Sequence, residues 1–196
     1  GQTVVTGQTT ITNPGNVGIF ISGAAAGHGA TFANVIVTSS AGVGVRLVDN
    51  LGAMTFADLD LSPDSGHKAL VSTFTVAGTP GTLTTTSGTI SALVNTAVEI
   101  TSTGTRQPLA MVLDSVSSTG GVNNVLLTNV SGSLAMGGGA LSGSSAAAFN
   151  VSGSSATVTH DGSIANTTGG ISLTGNSGGT FTFRGGMVLN TGANPA

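Results

Sequence analysis

Apolar and polar residues alternate in short runs along this chain, and the runs return at a nearly constant interval. The most regular stretch is residues 169–192. It holds Ile171-Ser172-Leu173, Phe181-Thr182-Phe183 and Met187-Val188-Leu189, separated by Gly, Asn and Ser. With Ile171 as the anchor of a first strand, matching strands begin at Ile19, Val45, Phe74, Val98, Val125 and Phe149. The spacings from Ile19 onward are 26, 29, 24, 27, 24 and 22 residues. A period in this range marks a solenoid. Two residues after each anchor a second apolar residue recurs: Ile21, Leu47, Val76, Ile100, Leu127, Val151 and Leu173. Positions i and i+2 of a strand share a face, so these pairs predict one inward side.

A second strand follows in most units, at Met54-Thr55-Phe56, Leu83-Thr84-Thr85, Leu109-Ala110-Met111, Leu134-Ala135-Met136, Val158-Thr159-His160 and Phe181-Thr182-Phe183. A third is predicted at Val35-Ile36-Val37, Leu59-Asp60-Leu61, Ile90-Ser91-Ala92, Val112-Leu113, Ile164 and Val188. Three short strands per unit predict an all-β fold, a right-handed parallel β-helix of about seven coils forming one domain over residues 1–196. The hand follows from the rule that parallel crossovers are right-handed. An antiparallel sandwich has similar strand spacing, but it does not explain why the order of strand types recurs. At roughly 4.8 Å per coil the rod would be about 35 Å long.

Composition narrows the chemistry. Charged residues make up 6% of the chain, Lys and Arg number 4, and the net charge is −3, which excludes a basic nucleic-acid surface. There is no Cys, so disulfides, thiolate catalysis and Cys-based zinc sites are excluded. No apolar run is long enough to insert in a membrane as a helix. Neither end reads as a polar cap. The sequence therefore predicts a fragment of a longer array, or a unit that stacks end to end, with neighbouring repeats or its own copies as partners.

Scarce charge gathers in one place. The junction from Leu61 to Phe74 is longer than the others, and residues 63–68 read as an insertion projecting from the stack. Asp60, Asp64, His67 and Lys68 are the candidate ligand-binding residues, because loops on a rigid scaffold carry binding. Asp58 and Asp60 share an outward face but lack a calcium-binding loop. Glu99 and Arg46 are predicted to face outward, two coils apart. His160, Met111 and Met136 fall on an inward register. No catalytic residue, metal site or cofactor is predicted.

Phe149-Asn150-Val151-Ser152-Gly153, Ala156-Thr157-Val158-Thr159 and the run from Gly169 to Phe183 resemble the repeats of very large bacterial β-strand-repeat surface proteins, similar to adhesin and autotransporter-passenger β-helices. Arg184 departs from that pattern, standing where a small polar residue is expected. The resemblance implies a right-handed β-helix in an extracellular or cell-surface protein and carries over no catalytic residue. The expected function is a non-enzymatic structural or adhesive module, with surface glycans among its expected partners. One alternative is a polysaccharide-binding or polysaccharide-cleaving β-helix. The only acidic cluster is then Asp58, Asp60, Asp64, His67 and Lys68, with no Trp or Tyr for sugar stacking. Another alternative is an ice-binding solenoid, with Thr55, Thr84, Thr159 and Thr182 in one outward row broken by Ala110 and Ala135.

Overall fold

The computed structural model describes residues 1–166 and 168–189, and the expectation about the C-terminal end falls partly outside them. The described chain is a parallel β-solenoid of about eight turns, with two sheets and no helix. The smaller sheet has 7 strands: β2 (Ile19–Ser22), β4 (Val45–Val48), β6 (Leu70–Phe74), β9 (Val98–Ser102), β12 (Val125–Thr128), β15 (Phe149–Ser152) and β18 (Ile171–Thr174). The larger has 13 strands. It opens with the long strands β1 (Thr3–Thr12), β3 (Ala30–Thr38) and β5 (Met54–Ser62). It continues as pairs: β7 (Leu83–Ser87) with β8 (Thr89–Ala92), β10 (Gln107–Leu113) with β11 (Ser115–Ser118), and β13 (Val130–Met136) with β14 (Ala140–Ser142). The last two pairs are β16 (Thr157–His160) with β17 (Ser163–Asn166), and β19 (Phe181–Phe183) with β20 (Met187–Leu189).

The predicted second and third strands thus belong to one sheet. In the early turns they are one continuous strand, because Ala57-Asp58 carries the chain through the corner without a turn. Gly88, at φ 125°, starts the division. β5 pairs with both β7 and β8 across that corner.

The core is a set of inward rows running along the rod. In the smaller sheet one row reads Ile19, Val45, Leu70, Val98, Val125, Phe149 and Ile171. Its five middle members are fully buried. Across from it, Phe32 stacks on Phe56 with ring centroids 5.3 Å apart and planes 6° from parallel, a spacing close to one inter-strand rise.

The register corrects several expectations. The third first-strand begins at Leu70, not Phe74, and Ser72 rather than Val76 follows Leu47 in the second inward row. Phe74 is also buried, while Val76 is 43% exposed. An apolar residue at both ends of the same strand made Phe74 look like the start. With Leu70 as anchor, residues 63–68 are an ordinary junction, and the longer connection lies at residues 75–82. The third strand of the next turn is β11, where Val116 pairs with Ile90, rather than Val112-Leu113. In the last turn Met187, not Val188, pairs with Ile164. Finally, Leu134 stacks on Met111, not on Leu109. The larger sheet slips by two residues there, so every side chain keeps its face.

Candidate functional site

The four predicted ligand-binding residues do not form one site. Asp60 lies on β5, where its carboxylate accepts a hydrogen bond from the Thr89 amide at 2.8 Å. Its neighbour Asp58 is engaged by Asn34 Nδ2 at 2.6 Å and Ser87 Oγ at 3.1 Å. Both carboxylates are corner and edge fixtures between turns. Among the described residues no group of three or more His, Cys, Asp and Glu is placed to hold a metal ion. Asp64 is exposed at the start of the 63–69 junction. Its amide donates to the Ser40 carbonyl at 3.0 Å, and its carbonyl accepts from the His67 amide at 3.2 Å.

That junction does not project freely. The Lys68 carbonyl accepts from Gly44 N at 3.1 Å on one side, and Gly66 N donates to the Leu93 carbonyl at 2.8 Å on the other. The junction is thereby one wall of a groove of about 510 Å³. His67 and Lys68 line it, together with Arg46, Val71, Asn95 and Glu99.

Local structure explains the arrangement. Arg46, Val71 and Glu99 are successive members of one outward row of the smaller sheet. Two rises separate Arg46 from Glu99, about 10 Å. Lys68 enters from the turn between them, and its Nζ lies 2.6 Å from Glu99 Oε2. Lys68 is 36% exposed and Glu99 19%, so the pair is shielded on the carboxylate side. Arg46 is exposed and stacks over the Phe20 ring, 5.9 Å from its centroid. It makes no hydrogen bond or ion pair to another described residue. Asn95 is fixed, with Nδ2 donating to the Gly66 carbonyl at 2.7 Å.

The site therefore contains two of the predicted residues, His67 and Lys68, and leaves out Asp60 and Asp64. Arg46 and Glu99, expected only to face outward, line the groove beside His67 and Lys68. Anchoring the third turn at Leu70 would have placed Lys68 between them.

Elsewhere, the predicted threonine row divides at the register slip. Thr55 and Thr84 pair with each other and lead to Ala110. Thr159 and Thr182 pair with each other and lead through Ala135 to Val112. A more continuous hydroxyl row runs along the smaller sheet: Ser22, Val48, Thr73, Thr101, Thr128, Ser152 and Thr174. Arg184, unexplained by the repeat pattern, lies one turn beyond Asp161 and pairs with it at 3.3 Å. His160 is fully buried in the core.

These features define the class: a parallel β-solenoid with one charged groove on its smaller sheet. Comparison with protein-family models, with curated proteins and with solved structures finds no match.

Proposed function

We propose that the chain is a non-enzymatic structural and adhesive repeat module of a secreted or surface-attached bacterial protein, and that it associates end to end. The observation that supports this reading is the open pairing at both ends of the described stack. β1 and β2 each have one neighbour, as do β18, β19 and β20. At the second end, Leu173 and Met187 are 43% and 49% exposed, whereas Leu127 and Ile164 in the same inward rows are 0% and 1% exposed. An unpaired parallel edge with apolar rows ending on it is a template for another turn.

Electron microscopy of the purified chain, with sedimentation across a dilution series, tests the reading. Fibres, and a mass that grows with concentration, are expected. A strictly monomeric species at the highest attainable concentration would overturn end-to-end association.

The hydroxyl row of the smaller sheet favours ice binding as a second reading. Absence of both thermal hysteresis and recrystallisation inhibition would remove it.

A further inference from the structure

We propose that the groove bounded by Arg46, His67, Lys68 and Glu99 binds a carboxylate-bearing oligosaccharide. The proposal extends the adhesive half of the functional reading by giving the rod a ligand class.

The whole chain carries −3. The groove holds Arg46 and Lys68 against a single carboxylate, Glu99. Lys68 already serves Glu99 at 2.6 Å. Arg46 is left without a counter-charge, its nearest carboxylate in the row two turns away. The Phe20 ring takes one face of the guanidinium and leaves its edge donors free for a planar acceptor. A carboxylate matches that fork in two parallel hydrogen bonds. His67, half-buried with no hydrogen bond to its ring, offers a further donor on the opposite wall.

Shape argues for a sugar chain rather than a small anion. The lining residues come from four consecutive turns, so the groove runs along the rod for about three rises, roughly 14 Å. Polar groups are strung along that line instead of converging on one point. Val71 supplies an apolar floor at 7% exposure, and Phe20, 58% exposed, presents a ring at one end. An alternation of hydroxyl partners with apolar surface fits pyranose rings, which carry both. An extended acidic peptide is disfavoured because the groove lies on a sheet face. The backbone groups of β4, β6 and β9 are committed to their ladder, so no strand can be added there.

The test uses the full chain and titration calorimetry. The probes are an α-linked trimer of galacturonic acid, its methyl ester, and a tri-glutamate peptide. The acid trimer is expected to bind, with about tenfold or greater weakening for the ester and for Arg46→Ala, the loss of one charge-assisted contact. Arg184→Ala, at the far end of the rod, should bind like the parent. Circular dichroism of Arg46→Ala should be unchanged, because the side chain is exposed. Equal affinity for acid and ester, no effect of Arg46→Ala, or no binding of the acid trimer would overturn the proposal. Tighter binding of tri-glutamate would overturn the saccharide assignment. None of these outcomes bears on fibre formation, which is measured separately.

Discussion

His160 occupies an inward row whose other members are Leu113, Met136 and Phe183. Its ring is fully buried, lies 6.3 Å from the Phe149 ring, and has no hydrogen bond at either nitrogen. Burial drives its pKa below the ordinary value of 6.5; the Ser163 backbone and the Asp161 charge pull the other way without reversing it. The folded chain thus holds the imidazole neutral, while the unfolded chain takes up a proton near its ordinary pKa. Stability is full above about pH 6.5 and falls as the pH drops from there toward the folded pKa, by at most about 1.4 kcal/mol per pH unit. Denaturant unfolding at pH 7.5 and pH 5 should register the loss. His160→Met, which repeats the residue one turn before, should remove this part of the pH dependence. An unchanged pH profile in that variant would refute the assignment. The sequence placed His160 on an inward register, since alternation within β16 fixes its side. It did not settle whether a strand-end residue turns outward. Phe149 from the smaller sheet lies beside the ring and in turn packs edge-on against Phe183, the next residue of the His160 row, and such long-range packing has no local signal.

At the scale of the strand and its corner, glycine and asparagine fix particular turns. Before the third strand of the last three turns stand Gly139, Gly162 and Gly185. A Cβ on Gly162 would meet the Gly139 carbonyl, and one on Gly185 would meet that of Gly162. The backbones stack there at a separation only glycine permits. Gly162→Ala should therefore destabilise the chain by about 1–3 kcal/mol through forced backbone shifts. Gly104→Ala, with open space around it, should be nearly neutral. Thermal melts of the two variants compare them directly.

Asparagines tie two of the turns that follow a first strand to the turn before. Asn50 accepts from Ala24 N and donates to the Ile21 carbonyl, both at 3.0 Å. Asn176 does the same for Ser154 N and the Val151 carbonyl, at 2.8 and 3.0 Å. The sequence exposed the glycines and asparagines as turns. It could not align them, because connection lengths vary and the slip between β10 and β13 preserves the inward and outward pattern. A two-residue slip leaves alternation intact, so the single threonine row read from the sequence became two.

For the whole molecule, turns stack on their immediate neighbours, with Arg106 reaching further to the Gly153 carbonyl and Ser177 Oγ, and stability follows mainly from nearest-neighbour stacking. This is why the class of fold was legible: one strand pattern, repeated, fixes the architecture without any distant motif. The charged groove was only half legible, because it is assembled from several turns and depends on their register. The same logic separates two substitutions in one inward row. Leu127→Lys would bury a charge between β9 and β15, where no partner awaits it and the desolvation penalty is large. Leu173→Lys puts the same charge on the terminal strand β18, which has a neighbour on one side only. Leu127→Lys should therefore abolish cooperative folding. Leu173→Lys should leave a folded chain by circular dichroism and suppress growth in mass with concentration, since a lysine at an open strand edge opposes further pairing. If Leu173→Lys assembled as readily as the parent chain, association would have to use the faces or the other end of the rod, and the joint assigned to β18 would be wrong.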